Sequence, residues 1–181
     1  MPFHYRLLGK DRMALFSFIH SLNTTFGSSI FEPVAETLAS LNFRKAQKQY
    51  IVGDSISVEA QSEIQKIVND LSIGEDVNKL QEIERIRRVC NTGNMTRLKT
   101  VKVDLLIEDY EGTVHLFDLK TVKPNIGDFE KYKRTLLEWI AIYLAKEPQA
   151  KVMSYIAIPY NPYYPNPYKR WTLTQLYHSS Q

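Results

Sequence analysis

Two short apolar runs constrain this chain more than any other feature: Lys102-Val103-Asp104-Leu105-Leu106-Ile107 and Val114-His115-Leu116-Phe117-Asp118-Leu119-Lys120-Thr121, separated by a turn from Asp109 to Thr113 that contains Gly112. Runs of this length and composition around a glycine-containing turn predict a β-hairpin. A symmetric hairpin centred on Glu111 sets Asp104 opposite Asp118. Lys120 shares the face of Asp118, because strand side chains alternate with a period of two. Two carboxylates and an ammonium are thereby expected together on strands that otherwise read as buried. Half-buried carboxylates are costly unless something compensates them, and a divalent cation would do so.

The donor types fit Mg²⁺, which takes one or two protein carboxylates and completes its octahedron with water and phosphate oxygens. Asp104 and Asp118 supply the carboxylates, and the Leu119 carbonyl between them is a candidate third ligand. Lys120 would orient a water and offset negative charge developing on phosphorus. Hydrolysis of a phosphodiester is the reaction such a set suits. The competing reading is a surface hairpin in which Asp118 and Lys120 form a same-face ion pair of little energetic consequence. A further carboxylate is expected from a helix over Ser29–Leu41, where Glu32 and Glu36 share a face at i, i+4. Ser29 and Glu32 also match a capping box, in which Glu32 would only satisfy the helix start. His4, His20, His115 and His178 show no ligand spacing, and structural or solvent-facing roles are expected of them.

The remainder of the chain supplies the frame. Apolar residues at helical spacing predict helices over Asp11–Phe26, Ser29–Leu41, Ser57–Leu71, Asp76–Cys90 and from Asp128 to about Ala145. Arg44–Val52 and Lys151–Pro159 read as strands. The order is helix, strand, a two-helix insertion over about 55–92, a hairpin, helix and strand. The strand–helix–strand passage after the hairpin implies a right-handed crossover. The expected class is therefore α/β, a mixed β-sheet flanked by helices with a helical insertion. A chain of 181 residues suffices for one domain with a real core. Cys90 is the only cysteine, which excludes an internal disulfide and a multi-cysteine zinc site. No apolar run approaches the roughly 20 residues needed to span a bilayer, and no signal-like segment opens the chain, so a cytoplasmic protein is expected.

The net charge of +3 says little, but its distribution says more. Arg85, Arg87, Arg88, Arg97, Lys99 and Lys102 follow one another with no acidic residue between them, and no Asp or Glu occurs after Glu147. Such asymmetry suits a polyanionic partner, or else a solvated helix face and an uncharged tail.

Together these residues resemble the PD-(D/E)XK nuclease superfamily: a carboxylate-bearing helix, a strand with Asp104, a strand with Asp118-Leu119-Lys120, then a helix and a strand. Leu116–Asn125, Lys133–Trp139 and Ile156–Tyr163 are similar, more narrowly, to type II restriction endonucleases of the TdeIII/MjaII kind. The resemblance is strongest over about residues 95 to 172. It implies a restriction-endonuclease-like fold and a single nuclease domain over residues 1–181. It also implies an Mg²⁺-dependent, sequence-specific double-stranded DNA endonuclease of prokaryotic cytoplasm, acting as a homodimer on a GGNCC-like site. Asp104, Asp118 and Lys120 would be catalytic, with Glu32 before Glu36 completing the site. Lys123 and Asn125 lie just past the metal strand. Asn161, Asn166, Lys169 and Arg170 occupy a Tyr/Pro-rich segment over about 160–172, and all six are residue types that grip phosphates or read base edges. The alternative for that segment is that its aromatic residues pack a coil onto the sheet. The rival functions are a structure-specific repair or junction-resolving nuclease of the same superfamily, and a DNA-binding relative without hydrolysis.

Overall fold

In a computed structural model, which describes residues 2–120, 128–158, 161 and 164–166, the hairpin is the centre of the sheet. The elements run α1 (Pro2–Phe26), a π-helical turn (Gly27–Phe31), α2 (Glu32–Asn42), β1 (Lys45–Ser57), α3 (Val58–Ser72), α4 (Lys79–Val89), β2 (Met95–Glu108), β3 (Thr113–Leu119), α5 (Asp128–Lys146) and β4 (Lys151–Ala157). The strands lie in the order β1-β2-β3-β4. The first two pairings are antiparallel and β3 with β4 is parallel, the mixed sheet expected from the order of elements.

The alternation of side chains makes the sheet the middle layer of a sandwich. Leu106, Val114, Leu116 and Val152 point into the main core with residues of α3, α4 and α5, including Ile67, Ile86, Leu137 and Ile140. Leu105 and Ile107 point the other way, into a smaller cluster with Ala39 of α2. The predicted insertion helices are thus part of the main core. Ser57 starts α3 by accepting a hydrogen bond from the Ala60 N–H at 3.0 Å, and its hydroxyl donates to the Val89 carbonyl at the end of α4. Asn78, two residues after the expected helix start at Asp76, caps α4 through the Gln81 N–H. Both caps satisfy helix-end amides that would otherwise lack partners.

Two stretches differ from expectation for physical reasons. β1 runs five residues beyond Val52, through Gly53, because a glycine there lets α5 come close: a Cβ on Gly53 would lie 2.6 Å from Ile142 Cγ2. The Lys146 ammonium fills the remaining space and donates to the Val52 carbonyl at 2.5 Å. The second difference is α2. The apolar stripe Ile30, Val34, Leu38 and Leu41 faces outward, from 45% to 75% exposed. The side that meets the sheet carries Ala35 and Ala39 together with the two glutamates, small residues allowing a close approach and polar ones finding partners on β1. Phe31 occupies the N-cap position without a side-chain cap, so the capping-box reading of Ser29 and Glu32 does not hold.

Candidate active site

The turn between β2 and β3 is held by one side chain together with the backbone, the Asp109 N–H donating to the Thr113 carbonyl at 3.0 Å. Asp109 Oδ1 accepts the N–H groups of Glu111 and Thr113, and Gly112 takes the left-handed conformation, φ 79°, that closes the loop. His115 lies between Asp109 Oδ2 and the Tyr155 hydroxyl, each 3.2 Å away, the structural role expected of it. The turn sets the register, Leu105 opposite Phe117 and Leu106 opposite Leu116. One rung further, that register brings Asp104 and Asp118 together, as the symmetric hairpin requires.

Asp118 is 7% exposed, and its Oδ1 accepts the Lys120 ammonium at 2.7 Å. Lys120 leaves the sheet at the end of β3, where its N–H donates to the Ala157 carbonyl of β4, and its ammonium also stands 4.8 Å from the centre of the Tyr132 ring on α5. Asp104 Oδ2 accepts the Leu119 N–H at 2.7 Å. The Leu119 N–H thus holds a carboxylate still. Burial raises the Asp104 carboxyl to about 6, aided by the charge and hydrogen bonding of Asp118 and the charge of Glu32, and opposed by the Leu119 N–H. Negative charge concentrated in this way is relieved by a proton or by a cation.

The two helix glutamates are treated differently. Glu32 is buried, and its Oε2 accepts the Gln49 side-chain amide of β1 at 2.8 Å. Glu36 turns to the backbone of β1, accepting the Lys48 N–H at 2.9 Å, with the Lys48 ammonium 3.6 Å from its other oxygen. Glu32 is thus the glutamate whose charge reaches Asp104. Among the described residues no group of three or more His, Cys, Asp or Glu is assembled closely enough to hold a metal ion. The convergent donors are two aspartates, the number Mg²⁺ ordinarily takes from a protein. Gln49 escaped the sequence analysis altogether, since a glutamine in a strand carries no signal by composition or spacing.

The outer parts of the expected site fare unevenly. Lys123, Asn125, Lys169 and Arg170 lie outside the described residues, as does most of the Tyr/Pro-rich segment. Asn161 donates to the Asn166 carbonyl at 2.7 Å, a contact within that segment. The basic tract divides. Arg85 is committed to Glu63 and Asp70 at 2.6 and 2.9 Å, and Arg87 to Glu84 and to the Pro148 and Ala150 carbonyls. Arg88, Arg97, Lys99 and Lys102 remain exposed, the last three on the half of β2 that precedes Asp104. Among the described residues no helix is long and apolar enough to cross a membrane.

Comparison with known proteins bears on this geometry. A family model described as "Type II restriction endonuclease, HinfI" matches residues 1–181. The type II restriction enzyme MjaII of Methanocaldococcus jannaschii is 29% identical over 152 residues, covering 83% of this chain and 40% of that protein. The type II restriction enzymes HgiEI and HgiBI of Herpetosiphon aurantiacus are 28% and 27% identical over 166 residues, each match covering 90% of this chain and 59% of the relative. The chain therefore matches between two-fifths and three-fifths of the length of these relatives. No solved structure matches it.

Proposed function

The chain belongs to the HinfI family of type II restriction endonucleases, and from that premise we propose that it is a sequence-specific, Mg²⁺-dependent endonuclease of double-stranded DNA. The observation that carries the reading is the rung of Asp104 and Asp118 with Lys120 at 2.7 Å, two buried or half-buried carboxylates of which Asp104 is lifted to about 6 by burial, with the charge of Asp118 adding to it. The donor set is all oxygen and negatively charged, which fits a hard divalent cation.

In this proposal Asp104 and Asp118 hold Mg²⁺, and Glu32 stands behind them as the further carboxylate. The ion, when bound, supplies Lewis acidity to the phosphoryl group. The protein's own residues do the rest. The Leu119 N–H fixes the Asp104 carboxylate, so that little reorganisation is needed as charge develops. Lys120, anchored between Asp118 and the Tyr132 ring, hydrogen-bonds the attacking water and offsets charge on the phosphorane. The water oxygen bonds to phosphorus and gives up one proton, the bond from phosphorus to the leaving sugar oxygen breaks, and that oxygen takes up a proton, so that water is divided between the two products.

The wider reading is a single nuclease domain that works as a homodimer in the prokaryotic cytoplasm on a GGNCC-like site. Lys123, Asn125, Asn161, Asn166, Lys169 and Arg170 would contact the DNA. Similarity to named type II restriction enzymes supports this reading. It is tested by digesting long unmethylated DNA with and without Mg²⁺ and sequencing the ends. Discrete fragments sharing one end sequence are expected. A metal-dependent smear or structure-selective nicking would replace the reading with a repair-type nuclease, and a gel shift without cleavage would replace it with a DNA-binding protein.

A further inference from the structure

Gln49 has a backbone that a glutamine has no local reason to adopt. Its φ is 51°, and no other non-glycine residue among those described has a positive φ. L residues other than Gly, Asn and Asp avoid this region because Cβ crowds the backbone, and where they occupy it the surrounding structure compels them. Gln49 lies on β1 between the rungs Lys48–Leu105 and Tyr50–Val103, which sets it across from Asp104. Its side-chain amide donates to the buried Glu32 carboxylate at 2.8 Å.

The neighbouring residue sharpens the contrast. Lys48 holds Glu36 with its N–H and brings an ammonium within 3.6 Å, a contact that offsets the carboxylate's charge. Gln49 holds Glu32 with a neutral carboxamide, which orients a carboxylate and leaves its charge available to a cation. Adjacent residues on one strand therefore give two glutamates four residues apart different partners. We infer that Gln49 is a positioning residue of the metal site, its carboxamide turned toward α2 and holding the Glu32 carboxylate where its charge adds to those of Asp104 and Asp118, the two ligands proposed for the divalent ion. This rests on the metal-dependent reading above. Outer partners of metal ligands are typically worth about 10–100-fold in metal affinity or activity, which sets the size of the effect to be sought.

The test uses Gln49→Gly, which suits the observed φ and removes the side chain with its carboxamide, beside Gln49→Asn, whose amide is one methylene short of Glu32. Mg²⁺-dependent thermal stabilisation without DNA is measured alongside cleavage. Both variants should melt no lower than wild type in the absence of metal. The Mg²⁺ concentration for half-maximal stabilisation should rise about 10-fold, and kcat should fall about 10–100-fold, with KM for DNA unchanged within about twofold. On a Glu32→Gln background, Gln49→Gly should add less than about a twofold further loss, because the two act through one contact. A wild-type Mg²⁺ requirement in Gln49→Gly would overturn the inference, as would a lower melting temperature with that requirement unchanged, which marks a purely scaffolding contact. Loss of the Mg²⁺ response in Asp118→Ala with Gln49→Gly unaffected overturns this inference alone. A wild-type protein with neither a Mg²⁺ response nor cleavage overturns the nuclease reading and this inference with it.

Discussion

At the scale of single residues, the site depends on charges that the protein concentrates and a cation would relieve. Replacing Asp118 by Ala removes a proposed metal ligand and the anchor of Lys120. Cleavage should fall by at least about 10³-fold, because the proposed chemistry depends on the Lewis acid. DNA binding in Ca²⁺ should survive or tighten, since a charge that repels phosphate is gone. A gel assay showing cleavage at the wild-type rate would remove Asp118 from the site. Asp104 gives a pH signature. Its carboxyl is raised from 3.8 to about 6, so in the metal-free protein its contribution to folding is fully present below its unfolded value and is lost as pH rises through about 6. Metal binding requires the ionised form, so the sign for Mg²⁺ is opposite: affinity increases with pH through about 6. Calorimetric Mg²⁺ titrations at pH 5.5, 6.5 and 7.5 should show that rise, and a flat profile would count against Asp104 as a ligand.

At the scale of elements, the packing around α5 keeps β3 and β4 in place under the site. α5 is joined to α4 by Lys133 and Glu82, 2% and 5% exposed, with 2.7 Å between ammonium and carboxylate. Glu82 Oε1 is buried without a hydrogen-bond partner, and breaking the pair would leave a whole carboxylate in that condition. Lys133→Met should destabilise the fold by about 3–5 kcal/mol, whereas the double change Lys133→Met with Glu82→Leu should restore most of the loss. Urea unfolding of both variants decides it, and an additive double variant would mean the pair is not coupled. On the opposite side of α5, Gly53→Ala forces a methyl against Ile142. A loss of about 1–3 kcal/mol is expected from overpacking. The hairpin was the most legible element because its register follows from a turn and alternation, both local properties. Lys48 and Gln49 were not legible, because a partner on α2 and a left-handed φ are set by how the helix lies on the strand.

At the scale of the molecule, the main core closes around the sheet, α3, α4 and α5 without help from the carboxylates. Chelation should therefore leave the far-ultraviolet circular dichroism unchanged and, for a ligand at about tenfold its Kd, lower Tm by no more than a few degrees. Loss of helical signal in EDTA would show that the ion is structural. The same scale explains the outward stripe of α2. Helical periodicity reveals which residues share a face, but not which face the sheet takes. Here Ala35, Ala39 and the two glutamates took it. The basic tract divided for the same reason, Arg85 and Arg87 finding acidic or carbonyl partners distant in sequence.

By itself, the sequence determined the α/β class, the order of elements, the pairing that sets Asp104 across from Asp118, and the placing of Lys120 on their face. These follow from period, turn chemistry and register, which act over a few residues. Only the tertiary structure decided that Gln49 holds Glu32 while Lys48 holds Glu36, that the Leu119 N–H fixes Asp104, and that Gln49 takes a left-handed backbone on the strand beside it. Each of those depends on contacts between segments far apart in the chain, where the angle and distance of packing, and not residue type, choose the partner.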